Sequence, residues 1–280
     1  MKAQSYSRSF FIPSPFSVFA GLCAAALALY SASFVPLMGQ WAKSDQSLGH
    51  APVLFLVICG WLWASRHRFN QVARPPSLRG AALVVAASMG WLLVSLGDIE
   101  LFEQLLMLPM FLSLAVLAAG WRSALTLTAP MLMLVFCLPL FDNLNEQLVD
   151  LSSWAVGALL HLTPFTSFIS GNSIALPGGS IVIADGCSGL RYLVIGLATA
   201  NLAASMNRLG RVDHVMLNLL TILAMVGVNW LRIFAIVIVA YVTDMQSPLV
   251  QNHESFGWVV FGVGLLPVVL YARRRAAASS

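Results

Sequence analysis

Charge is what this sequence has least of. Only 9% of its 280 residues are Asp, Glu, Lys or Arg, against 59% hydrophobic, and the mean hydropathy is +0.84. A soluble domain of this length would carry several times more charge on its surface, so composition excludes a water-solvated globular protein and points to a chain solvated by lipid. Cysteine is scarce too. Cys23, Cys59, Cys137 and Cys187 stand far apart with no CxxC pair, which argues against a zinc site and against a dithiol redox pair. No internal repeat and no low-complexity tract is present. The net charge of +4 is that of a protein with an acidic partner such as nucleic acid, but the basic residues fall in short clusters between apolar runs, where they act as a topology signal.

What the sequence does have is long apolar runs. A helix needs about 20 mainly apolar residues to cross a bilayer, and about eight segments qualify: 16–37, 51–65, 80–96, 101–120, 124–141, 188–206, 214–242 and 256–272. The second is short and the seventh long enough to tilt or protrude. No small-residue cleavage site cleanly follows the first, so it is read as a retained span and not as a signal peptide. If every segment crosses, Lys2 and Arg8, Arg66 to Arg79, Arg122, Arg208 and Arg211, and Arg273 to Arg275 all lie on one side. By the positive-inside rule that side is the cytoplasm, which also holds both termini.

The connection 142–186 is the one long stretch on the opposite face. Leu144, Leu148, Leu151, Ala155 and Leu159 recur at helical spacing, predicting an amphipathic helix at the membrane interface. Two β-prone runs within 173–184, around Pro177-Gly178-Gly179, predict a small hairpin. The expected architecture is therefore an all-α polytopic membrane protein forming a single domain over 1–280, with 142–186 as an outer insertion holding a short β-hairpin and an interfacial helix.

Three ionisable side chains converge on the outer ends of the last three spans. Cys187 stands where the hairpin ends and the sixth span begins, and a helix N-terminus favours a thiolate. Arg232, in Asn229-Trp-Leu-Arg232, is permanently charged within a span and needs an anionic partner such as a thiolate or an oxyanion. His253, just before the eighth span, is the residue type that moves protons near neutral pH. Each has an ordinary alternative: a cysteine that packs, an arginine that snorkels to the headgroups, a histidine that is solvated. Their shared position favours the joint reading as nucleophile, charge stabiliser and acid/base.

Arg191, one turn below Cys187, is placed to hold a thiolate or to tie the hairpin to the membrane surface. Asp185, two residues before the cysteine, is placed to pair with Arg191, to orient the histidine or to cap. His50 closes the first outer loop, as an entrance residue or a surface one. His67 and His214 fall on the cytoplasmic side, and His161 ends the amphipathic helix; none of these three is assigned chemistry. The constellation calls for no metal and no organic cofactor.

These residues resemble a known family. Asp185-Gly-Cys187-Ser-Gly-Leu-Arg191, Asn229-Trp-Leu-Arg232 and His253-Glu-Ser-Phe-Gly257 are similar, in this order, to the CSGxR, NxxR and HxxxG motifs of the exosortase/archaeosortase family. The loop from Trp41 to His50, the region of Pro139 and the Leu176-Pro177 turn fit as well. The resemblance implies a cysteine transpeptidase of the bacterial inner membrane, with Cys187 as nucleophile, Arg232 as thiolate or oxyanion stabiliser, His253 as general acid/base, and Asn229 opening the arginine motif. Its implied partners are exported proteins whose C-terminus carries a short sorting motif of the Pro-Glu-Pro type, a transmembrane helix and a basic tail. Asp185 departs from the family's usual Glu, and His253, where some archaeal relatives carry Arg, favours the bacterial branch. Two other classes compete: a transporter or channel for an anionic substrate held by Arg191 and Arg232, and a non-catalytic scaffold for exopolysaccharide assembly.

Overall fold

The computed structural model describes residues 13–43, 47–251 and 254–279. They form eleven α-helices and one small sheet. Four helices are long and apolar enough to cross a membrane by themselves: α4 (Leu78–Ser95), α5 (Glu100–Ala119), α9 (Arg211–Val242) and, within α11 (Glu254–Ser279), the segment Ser255–Ala278. Two bent pairs raise the number to six. One is α1 (Pro15–Leu29) with α2 (Ser31–Trp41), bent by 87°; the other is Trp121–Cys137 with Pro139–His161, bent by 52°. A helix stands at each of the eight expected positions, but length and composition support four to six spans. The two that fall short are α3 (Ala51–Gln71), diluted by Arg66, His67 and Arg68, and α8 (Leu190–Met206), which has only 17 residues.

The chain divides into two compact units. The first comprises residues 1–38 and 55–135. Ser14 caps α1 by accepting from the Ser17 amide, with Pro15 at the first helical position, where its missing N–H costs nothing. Phe16, Phe19 and Phe69 meet edge-on or tilted at ring separations of 5.6 to 5.9 Å and pack with Leu114, Ala115 and Leu127 in the core. α4 lies along α5. Gly120, at φ +82°, separates α5 from α6 (Trp121–Leu132).

The second unit comprises residues 39–54 and 136–280. Its backbone opens with a break: a 3-10 turn over Met133–Cys137 ends, Leu138 is extended, and a second turn runs from Pro139 to Leu144. Proline lacks an N–H and drives the preceding residue out of helical conformation, so the apolar run expected to be one straight span is interrupted here. α7 (Asn145–His161) follows. Its buried face is Val149, Ser152, Val156 and Leu160, packed against α9, whereas Leu144 and Leu151 of the expected apolar stripe are exposed. Ala155 of that stripe is buried, and Leu148 and Leu159 are half-buried, so the stripe lies partly beside the protein-facing side, which also carries the small polar residues Ser152 and Ser153.

The sheet has three antiparallel strands, β1 (Phe168–Ser170), β2 (Ser173–Leu176) and β3 (Gly179–Val182), in the order β1-β2-β3, with Ile174 opposite Ile181. β1 lies outside the stretch expected to pair. Ile174 and Leu176 are buried with Val156, Leu160 and Val237, which fastens the sheet onto α7 and α9. α9 is the hub of this unit and packs on α7, α8, α10 (Pro248–Gln251) and α11.

Candidate active site

The buried positions of α9, Leu217, Thr221, Met225, Asn229, Arg232, Ile236 and Ala240, recur every three to four residues and trace one face of the helix. Three of them are polar: Thr221, Asn229 and Arg232. Asn229 and Arg232 are 1% and 2% exposed, so Arg232 does not snorkel to the headgroups; it is held inside the protein.

Cys187 ends a 3-10 turn over Asp185–Cys187, its amide bonded to the Ala184 carbonyl. It is half-buried and packs against the core that includes Val149, Ile183, Ile233 and Val237. It lies two residues before the N-cap of α8, which is Gly189, so the cysteine precedes the helix end and is not its first residue. Ser188 turns its hydroxyl to accept from the Leu190 amide.

Asn229 joins the two elements. Its Nδ2 donates to the Cys187 carbonyl at 2.9 Å and lies 3.4 Å from Ser152 Oγ on α7, while its Oδ1 accepts from a terminal nitrogen of Arg232 at 3.5 Å. Gly189 explains why the turn can come so close. It has φ +83°, and a Cβ there would stand 2.6 Å from the Asn229 side chain, so both conformation and space exclude other residues.

Arg232 lies over the Tyr192 ring, 5.5 Å from its centroid, a distance at which the ring quadrupole attracts a cation. Gly257 of α11 closes the other side: a Cβ at this position would fall 2.9 Å from Arg232 Nε and into the Tyr192 hydroxyl. Among the described residues, nothing accepts a hydrogen bond from that Nε. A buried guanidinium with unmet donors favours an anion beside it.

The remaining expected residues divide. Asp185 is exposed, and its carbonyl accepts from the Ser188 amide. Both ring nitrogens of His50 face carbonyls, Nε2 2.9 Å from that of Phe136 and Nδ1 3.1 Å from that of Ser47, and a neutral ring donates to one of them. Trp41 donates to the next carbonyl, Cys137, at 2.8 Å. Trp41 and His50 thus face carbonyls at the backbone break before Pro139, where His50 is half-buried. Burial lowers its pKa from the ordinary histidine range, and the positive charge of Arg191 adds to this, while the two carbonyls oppose it. His253 lies outside the described residues. Tyr192 and Ser152 escaped the sequence reading, for no spacing or motif marks an aromatic beside Arg191 or a serine in α7 as a neighbour of the arginine motif.

Comparison with known families gives a match over most of the chain. The model described as transmembrane exosortase covers residues 41–270. Neither the comparison with curated proteins nor that with solved structures gives a match.

Proposed function

The chain belongs to the transmembrane exosortase family, and from that premise we propose that it is a membrane cysteine transpeptidase that cuts C-terminal sorting signals from exported proteins. The observation that carries the reading is the Asn229 bridge, which ties the backbone of Cys187 to the buried guanidinium of Arg232. A nucleophile and a permanent cation are thus held in one rigid neighbourhood, and such preorganisation is what acyl transfer requires.

In the proposed reaction the Cys187 thiolate attacks the scissile carbonyl carbon. A carbon–sulfur bond forms, and the negative charge that moves to the carbonyl oxygen is met by Arg232. His253 gives its proton to the departing amine as the carbon–nitrogen bond breaks, leaving a thioester on the enzyme. An incoming amine or water then attacks the thioester and gives its proton back to His253, the carbon–sulfur bond breaks, and the thiolate is released. Tyr192 and Gly257 fix the guanidinium by stacking and by close approach.

The proposed setting is the bacterial inner membrane. All eight helical segments cross, both termini are cytoplasmic, residues 142–186 lie on the periplasmic side, and the whole chain acts as one domain. The substrates carry a Pro-Glu-Pro-type motif, a transmembrane helix and a basic tail. Co-expression with a tagged protein bearing such a signal tests the reading: a shortened product is expected with the wild type and none with Cys187→Ala, Arg232→Ala or His253→Ala at matched membrane levels. Wild-type cleavage by Cys187→Ala would refute it.

A further inference from the structure

The sheet that precedes Cys187 has no part in the proposed bond-making steps, yet its outer strand leads straight to the thiol. β3 lies at the edge of the sheet, beyond β1 and β2. Ile181 stands opposite Ile174 and Gly179 opposite Leu176, and the Ile183 amide donates to the Asn172 carbonyl at 2.8 Å. Hydrogen-bonding groups alternate in direction along a strand, so residues 179, 181 and 183 bond inward, whereas Ser180 and Val182 turn their N–H and C=O groups outward. Among the described residues no hydrogen bond reaches these outward groups. Both residues are exposed, Val182 by 60%.

An open edge is a template for another chain, and proteins commonly block one with charge or proline. Gly179-Ser-Ile-Val-Ile-Ala184 carries neither. The edge is also held firmly. Ile174, Leu176 and Ile183 are buried in the core shared with α7 and α9, and the turn at Gly178 and Gly179 closes on Asp244 and Met245, where an added Cβ would stand 3.1 and 3.3 Å from them. At its other end β3 runs through Ile183 and Ala184 into the Asp185–Cys187 turn, whose three residues advance about 6 Å. The opposite edge strand, β1, is separated from that turn by both of the others.

We propose that β3 is the docking edge for the substrate: the segment N-terminal to the scissile bond adds to the sheet as a fourth strand, parallel to β3, and is led by it to Cys187. This rests on the cleavage reading above. The direction follows from the chemistry. The part of the substrate that becomes the acyl group ends at the scissile carbonyl, so it points towards Cys187 as β3 does. The part beyond the bond is a transmembrane helix in the proposed substrates, and its backbone groups are bonded internally and cannot pair with a strand. In a parallel pair each residue bonds to the two that flank its partner. A substrate residue opposite Ile181 therefore donates its N–H to the Ser180 carbonyl and accepts from the Val182 amide. Main-chain bonds of this kind supply affinity without reading side chains.

The test separates docking from cutting. The full chain carrying Cys187→Ala receives a benzophenone-bearing phenylalanine in place of Val182, or in place of Phe168 on β1, and is irradiated in membranes that also hold the tagged reporter of the cleavage assay. A covalent adduct of enzyme and reporter is expected from position 182 and none from 168. Equal yields from the two positions overturn the proposal, and so does an adduct of two enzyme chains at 182, which would give the edge to a second copy. In the otherwise wild-type chain, Val182→Pro removes one outward N–H and no bond of the sheet, a place where an edge strand tolerates proline. Reporter cleavage should fall by roughly three- to tenfold, the worth of one main-chain hydrogen bond, and further than in Val182→Ala, which alters the same side chain and keeps the amide. Equal cleavage by these two variants, at equal thermal midpoints, also overturns it. Cleavage by the wild type with no adduct at 182 defeats the docking edge alone, whereas no cleavage and no adduct defeat the peptidase reading with it.

Discussion

Asn229 donates its side-chain amide to the backbone carbonyl of Cys187 across 2.9 Å, so the position of the sulfur-bearing turn is set by a residue of α9 one turn from Arg232. Deleting this amide acts on the turn without touching the thiol. Asn229→Ala should lower stability by about 1–3 kcal/mol, the cost of leaving a buried polar group unmet. It should also cut peptide cleavage at least as strongly as it cuts stability. A thermal-shift assay alongside the cleavage assay separates the two, and unchanged values in both would remove Asn229 from the site.

Arg232→Lys keeps the charge and loses the planar fork. Lysine cannot at once lie over Tyr192 and reach Asn229 Oδ1 as the guanidinium does. Cleavage is expected to fall by about 10² or more, in the range found for loss of a group that stabilises an oxyanion, with little change in expression. Lysine activity within a fewfold of wild type would show that a point charge suffices.

Gly257→Ala places a methyl group where the Tyr192 hydroxyl and Arg232 Nε already stand. Overpacking of this kind costs about 1–3 kcal/mol. The variant should lose thermal stability and activity together, and Gly257→Ala combined with Tyr192→Phe should recover part of both, since removing the hydroxyl removes the nearest clash.

His50 should make stability depend on pH. Its folded pKa lies below the ordinary histidine value because burial disfavours the charged form, reinforced by Arg191. A histidine depressed on folding binds more protons when unfolded, so its contribution is complete above the unfolded value of about 6.5 and is lost as pH falls through the folded one. Thermal-shift midpoints of the wild type should drop more steeply below about pH 6.5 than those of His50→Gln; parallel curves would sink this assignment.

The cysteine, arginine and histidine motifs were legible because their chemistry is rare in an apolar chain: a permanent cation inside a span is conspicuous wherever it occurs. The partners of Arg232 were not. Tyr192 and Gly257 reach it from α8 and α11, helices far apart in the chain, and no local periodicity encodes such a meeting. Likewise the Trp41-to-His50 element was visible as a pattern, but its meeting with the carbonyls at 136 and 137 became readable only once the break before Pro139 was seen.

Hydropathy and charge by themselves determined that the chain is helical and lives in a membrane, because lipid demands long apolar runs and internally satisfied backbone whatever the packing. Tertiary structure decided what those constraints leave free. It set which face of α7 meets α9, brought Tyr192 and Gly257 to Arg232, and tied Asn229 to the Cys187 carbonyl. In each case the outcome rests on contacts between segments distant in sequence, and side-chain periodicity within one helix carries no record of the neighbour it will meet.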